Sequence, residues 1–322
     1  VPAVSAEPTT ETTTEIPKII WMMWMQGLEH APYLVKRCYD SWRHHNPGWR
    51  VIFLDQTNLH EYVDVAAVLA SGNDIEVQAQ SDIIRVNLLA EHGGVWVDAT
   101  CFCCRPLESW LGEHARGGFF AFSSVAAGRL IEAWFMASSR PCRLTERLAE
   151  VSNSYWLSNH NLKKRSDGAP LTRLLIWLLS LNTHTARLWF SYPVRRGWRV
   201  YPYMWLPFLF ERLLRHDPEC RALWRETREI SNAVPSGLKL SGLSGPLTER
   251  TKGEIDAKLS PLYKLDWRFD ASRHENSVLH YLLEETGVPP YRPETRLRAR
   301  PAGFRRYTRH PESASVTRGK AS

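Results

Sequence analysis

No stretch of this 322-residue sequence reaches the about 18–20 consecutive apolar residues that a bilayer-crossing helix needs. No charged-then-apolar signal-peptide pattern opens it, and its first residue is Val. Cysteine is sparse: there are six. Cys101, Cys103 and Cys104 stand too close together for a C-x-x-C zinc pattern, and no spaced Cys or His pair completes one. They read as small buried hydrophobes of a reducing compartment. Internal repeats are missing, as is any nucleic-acid-binding motif. The lone histidines form no motif, and no residue pattern marks a nucleophile or a general base.

What is present is an ordinary globular composition, 43% hydrophobic and 23% charged. The length fits one large core or two modest ones. A net charge of +7 and a pI near 9.1 favour an anionic partner: a nucleotide diphosphate, an acidic membrane or nucleic acid. A solvated basic surface with a basic tail would give the same totals. Fourteen tryptophans are many, and several fall in aromatic-basic stretches.

The most informative stretch is 81–107, SDIIRVNLLAEHGGVWVDATCFCCRPL. Ser81 suits a helix N-cap. Ala79, Ile83, Val86 and Ala90 recur at helical spacing, with Ile84 and Leu88 widening the stripe. Asp82 and Arg85 are three apart on the other face, so both heads can reach one place. A plain intrahelical ion pair accounts for the same spacing. Gly93-Gly94 ends the helix, Val95 to Val97 reads as a short buried strand, and Asp98 stands at its C-terminal end. In open α/β sheets, ligands bind at that end.

Around this centre the chain divides into four parts. Residues 1–15 are rich in Thr, Pro and Glu without periodicity and read as a disordered leader. Residues 16–170 alternate strands and helices. Ile19 to Met25 is a buried strand, Ala31 to His44 a helix, and Trp49 to Leu54 a second strand ending at Asp55. This βαβ unit implies a parallel sheet. Strands are expected near 18–24, 50–54, 95–97 and 118–122, and helices over Ile131 to Met136 and Leu144 to Trp156. Residues 171–288 interleave Leu, Trp, Tyr and Phe with Arg. Over 171–215, Arg173, Arg187, Arg195, Arg196 and Arg199 stand among Trp177, Trp189 and Trp198, which suits either core helices or an interfacial pair over anionic lipid. Residues 231–250 are Gly, Ser and Pro rich and read as a loop or lid. A last strand is expected over Leu262 to Phe269 and a last helix over His274 to Thr286. Residues 289–322 read as a disordered basic tail.

The 81–107 stretch resembles the sugar-binding region of DXD-type glycosyltransferases: D-x-x-R, apolar residues, G-G, a short strand, then D-x-D. With Asp98-Ala99-Thr100 in the last position, it resembles the capsular polysaccharide synthesis protein family. Residues 16–54 resemble that family's opening strand and helix, and 201–224 and 261–268 resemble its later segments more loosely. The resemblance implies an α/β fold of the Rossmann-like GT-A kind, with a mixed, mostly parallel sheet and an added helical region. It implies that Asp82 and Arg85 bind sugar or ribose hydroxyls of a nucleotide-diphospho-sugar. Gly93 and Gly94 would let the backbone approach the donor. Trp24 corresponds to an aromatic that stacks on the donor's uracil in distant relatives, although core packing would also place a Trp in a buried strand. Asp98 would be the catalytic carboxylate and, with Thr100, would hold Mn²⁺ or Mg²⁺. Thr100 replaces the acid that is usually the direct ligand. Apart from the resemblance, the ammonium of Lys264 suits the diphosphate as a point charge.

The expectation is therefore a retaining hexosyltransferase of surface polysaccharide synthesis. Its acceptor would be a glycan or lipid-linked, and its place the cytoplasm with peripheral contact at an anionic inner membrane face. Two alternatives stand beside it: a non-catalytic basic protein that binds polyanions, and a degenerate transferase kept as a scaffold, which the neutral Thr100 motivates.

Overall fold

The computed structural model describes residues 15–126, 129–163, 170–269 and 275–289. Apart from residues 15 and 289, the expected leader and tail lie outside these, as does the His274 start of the last helix. The apolar run after Pro17 forms β1 (Ile19–Met23). Helix α1 (Tyr33–His45) returns the chain to β2 (Arg50–Leu54), and α2 (Val77–His92) leads into β3 (Gly94–Val97). Then come β4 (Cys101–Cys103), β5 (Phe119–Ser123) and β6 (Ile131–Ser138). The five-stranded sheet has the order β2-β1-β3-β6-β5. β1 is parallel to β2 and β3, while β6 runs antiparallel to both of its neighbours. Four strands thus share one direction and β6 alone opposes them, a mixed and mostly parallel α/β sheet.

Side chains alternate between the two faces of a strand, and here they sort the core into two. Trp21, Trp96, Phe119 and Met136 join one cluster, under α2 and α3 (Arg143–Ser158). Ile20, Val95, Phe120 and Phe135 join the other, under α1. The later chain covers both faces. Helices α4 (Pro170–Leu179), α5 (Trp205–His216) and α6 (Pro218–Arg225) follow on the first side. Helices α7 (Ala233–Ser241) and α8 (Glu249–Asp256), strand β7 (Leu262–Lys264) and residues 278–288 lie on the second. Buried Arg37 of α1 ties that end down, donating from Nη1 to the Pro289 carbonyl (2.6 Å) and from Nε to that of Leu283 (3.0 Å).

Several expectations are corrected. Ile131 to Ser138 is a strand, not a helix. Its residues are all buried because it lies between β3 and β5 with packing on both faces, which erases the alternation that marks a half-exposed strand. The 231–250 stretch is not a loop: it holds α7 and the start of α8, whose N-cap Thr248 accepts from the Thr251 amide. Ser81 does not cap the central helix, which starts four residues earlier, after Glu76. The last strand stops at Lys264, because its partner β4 is only three residues long. Of the aromatic-basic stretch, Trp189 is core, whereas Trp177 and Trp198 are exposed.

Candidate functional site

Gly93 and Gly94 sit at the start of β3, away from its Asp98 end. Their φ values are 65° and 91°, a region that side chains with a Cβ disfavour. A Cβ on Gly94 would lie 2.6 Å from the Ile19 carbonyl oxygen, and one on Gly93 would lie 2.9 Å from that of Ser138. Their absent side chains let α2 turn tightly into β3 against β1 and β6. Neither lines the cleft described next, so the donor role expected for them gives way to a packing role.

The cleft, of about 1110 Å³, opens at the C-terminal ends of β1 and β3. Its floor is Asp98. The Asp98 amide continues the β3–β6 ladder by donating to the Trp134 carbonyl (2.8 Å), and the Cys101 amide closes a turn back onto the Asp98 carbonyl (2.9 Å). The carboxylate therefore projects from a fixed strand end.

Asp82, Arg85, Asp98, Thr100, Lys264 and Trp24 all line this cleft. The expectation that Asp82 and Arg85 occupy the polar face of α2 is half right. They face away from its apolar stripe, but inward, and are only 8% and 5% exposed. Arg85 Nη1 lies 2.9 Å from Asp82 Oδ1 and donates to the Ala133 carbonyl (2.5 Å). Its Nη2 donates to Asp98 Oδ1 (2.9 Å) and Ser81 Oγ (3.1 Å). The guanidinium lies 5.1 Å from the Trp96 ring centre, and the Trp96 indole N–H also donates to Asp98 Oδ1 (3.2 Å).

Lys264 comes from the other end of the chain. Pairing of β7 with β4 sets Lys264 opposite Cys101, and the Leu265 amide donates to the Thr100 carbonyl (2.8 Å). The ammonium then donates to Asp98 Oδ2 (2.7 Å) and Thr100 Oγ1 (2.8 Å).

These contacts separate the two acids. Burial pushes the Asp82 carboxyl up, to about 7, because Arg85 offsets only part of that cost. Burial presses on Asp98 too, but Lys264 and then Arg85 outweigh it and hold its carboxyl below the ordinary aspartate value. Burial likewise works against the Lys264 ammonium, and Asp98 more than restores it, so its pKa is raised. Asp98 is thus a firm anion, while Asp82 exchanges its proton near neutrality.

The Mn²⁺ or Mg²⁺ that the resemblance implies on Asp98 and Thr100 does not fit the donors present. Both carboxylate oxygens of Asp98 and the hydroxyl of Thr100 already accept from cationic side chains. Among the described residues, no group of three or more His, Cys, Asp or Glu side chains is placed to hold a metal.

The walls add residues that sequence reasoning missed. Trp267, half exposed, packs edge-on to Trp24 with ring centres 6.0 Å apart. Asp266 accepts from the backbone and the guanidinium of Arg268, which hold its carboxyl down to about 2. Across the cleft, buried Glu132 accepts at Oε1 from Ser124 (2.7 Å), Arg129 (2.9 Å) and Asn232 (2.9 Å). Asp266 and Trp267 stand after Lys264 and Leu265, within the 261–268 block. Glu132 carried no signal, because its strand reads as a helix. All six cysteines are buried and free, as expected of small core residues.

Residues 4–164 match the family model described as capsular polysaccharide synthesis protein, half of the 322-residue chain. The chain is 32% identical over 159 residues to the O-glycosyltransferase braB of Annulohypoxylon truncatum, covering 43% of this chain and 38% of that protein. It is 28% identical over 109 residues to the uncharacterized glycosyltransferase L373 of Acanthamoeba polyphaga mimivirus, covering 33% and 42%. The chain therefore spans about two-fifths of the length of these curated relatives. A solved structure, the PaToxG glycosyltransferase, overlaps 75% of this chain and 84% of its own at 13% identity and a TM-score of 0.34, too low a score to bear on the fold. The family match takes in β1, α1, β2, α2, β3 and the Asp98 floor, and it shows that the chain belongs to the capsular polysaccharide synthesis protein family.

Proposed function

We propose that the cleft is the donor site of a glycosyltransferase of the GT-A kind. It would move a hexosyl group from a nucleotide-diphospho-sugar to a glycan or lipid-linked acceptor in surface-polysaccharide synthesis. The observation that carries this reading is the convergence of Asp82, Arg85, Asp98 and Lys264 on one floor, with Trp24 and Trp267 at its edge. The names of the two curated relatives support it.

In the transfer, the bond from the anomeric carbon to the diphosphate oxygen breaks, and the electron pair leaves with the diphosphate. The acceptor oxygen bonds to that carbon, and its proton passes to water. Arg85 cannot roam, because both of its terminal nitrogens are committed. It serves as a fixed platform that orients Asp98 and Asp82 toward donor hydroxyls. The Trp pair offers the faces on which a base can lie. The stereochemistry we assign, from the resemblance alone, is retention. Calorimetric titration with a panel of nucleotide sugars and their free diphosphates tests the proposal. One member should bind at micromolar concentration and be turned over in the presence of glycan acceptors. Failure of every member would remove the reading.

We also propose peripheral contact with an anionic membrane on the side of α4 to α5. Trp177, Tyr192 and Trp198 are 60%, 72% and 47% exposed there. Nearby, a cavity of about 370 Å³ is lined by Arg147, Arg195, Arg212 and Tyr155. Arg195 Nε and the Tyr155 hydroxyl are buried there without hydrogen-bond partners among the described residues, which suits a lipid phosphate. No helix among the described residues is long and apolar enough to cross a membrane. Flotation should carry the protein up with anionic and not neutral vesicles at low salt, since each Arg near an anionic surface adds about 1 kcal/mol. Equal absence from both would refute the contact.

A further inference from the structure

A departing diphosphate must be met by positive charge that is already in place. Metal-dependent sites supply it with a divalent ion on strand-end carboxylates. Here, the position that a second carboxylate would take is the neutral Thr100, and an ammonium already rests on both partners: Lys264 Nζ is 2.7 Å from Asp98 Oδ2 and 2.8 Å from Thr100 Oγ1. A Mg²⁺-sized ion needs its oxygens at about 2.0–2.1 Å. It would have to displace Lys264 from the same two atoms, beside the charge of Arg85.

We propose that Lys264 is the resident cation of this site, and that it meets the donor diphosphate without a divalent metal. The inference rests on the donor-site reading above and adds to it the chemistry of the leaving group. Three details support it. An ammonium carries three N–H groups, and only two have partners among the described residues. Arg85 cannot take this part, because its terminal nitrogens are committed and its Nε is buried. With a neutral Thr100, the group of Asp98, Arg85 and Lys264 carries one net positive charge while Asp82 beside Arg85 holds its proton, and a second carboxylate at position 100 would remove it. As the bond to the anomeric carbon breaks, the new charge on the diphosphate oxygen is met by the third N–H of Lys264, which keeps its proton.

The test follows binding of UDP, GDP, ADP and CDP to the full chain by calorimetry, in EDTA and in Mn²⁺, with Mn²⁺ binding measured separately by electron paramagnetic resonance. Wild type should bind its preferred nucleotide equally in both buffers and take up no stoichiometric Mn²⁺ at micromolar concentration. Lys264→Met should weaken that nucleotide at least about tenfold in EDTA, and Lys264→Arg should recover part of the loss. The double change Lys264→Met with Thr100→Asp should bind Mn²⁺ and make nucleotide binding depend on it. Nucleotide binding by wild type that needs Mn²⁺, or tight Mn²⁺ uptake abolished by Asp98→Asn, would overturn the inference and leave the glycosyltransferase reading standing. No nucleotide binding in either buffer would overturn both.

Discussion

Arg85 is shared between two carboxylates, with Nη1 2.9 Å from Asp82 and Nη2 2.9 Å from Asp98. Lys264 supports only Asp98, so the pair is unequal: Asp98 stays ionised, and Asp82 is pushed up by burial to about 7. One helix and one strand end thus present a fixed anion next to a carboxyl that burial makes hold its proton more tightly.

That inequality predicts a pH dependence of stability. A buried carboxyl whose pKa rises on folding holds its proton more tightly in the native state. Its contribution is therefore complete below the unfolded value, about 3.9, and is lost as pH rises to about 7. Asp82→Asn, uncharged throughout, should show a smaller fall in unfolding midpoint between pH 4 and 7 than wild type. Parallel midpoint curves for the two proteins would show that Asp82 ionises normally.

Gly94 yields a prediction that separates packing from binding. Its φ of 91° and the 2.6 Å clash of an added Cβ with the Ile19 carbonyl oxygen should make Gly94→Ala destabilising, on the order of 1–3 kcal/mol. Molecules that do fold should bind nucleotide with unchanged affinity, because the residue is remote from the cleft. Chemical denaturation and calorimetry on the soluble fraction read the two effects separately.

Trp267 and Trp24 meet at the mouth, and Trp267 is half exposed. Trp267→Ala should leave the unfolding midpoint nearly unchanged and weaken nucleotide binding by roughly threefold to tenfold, the scale of one aromatic contact of about 0.5–1.5 kcal/mol. Unchanged affinity would place the base elsewhere in the cleft.

The half of the site on 81–100 was legible because its signals are local. Asp82 and Arg85 share a helix, a Gly-Gly turn marks its end, and a short apolar strand delivers Asp98. Even the misplaced helix start did not disturb these, since Ser81 still touches Arg85. The strand that carries Glu132 was not legible, because burial on both faces removed its period-2 pattern. Nor was the hydrogen bond from Lys264 to Thr100, which joins residues 164 positions apart and depends on the pairing of β4 with β7. Composition also hid α7, where glycine, serine and proline sit inside a helix that packs against β7. Tertiary contacts overrode local preference there.

Asp98 gathers the contributions of α2, β3 and β7 at one carboxylate, and Asp98→Asn keeps its size while removing its charge. Arg85 and Lys264 would then face a neutral amide. Measured as donor turnover with the preferred nucleotide sugar, on protein shown to be folded by its unfolding midpoint, this change should cost about a hundredfold or more in rate, equivalent to about 3 kcal/mol of barrier. Turnover by Asp98→Asn equal to that of wild type would contradict the account.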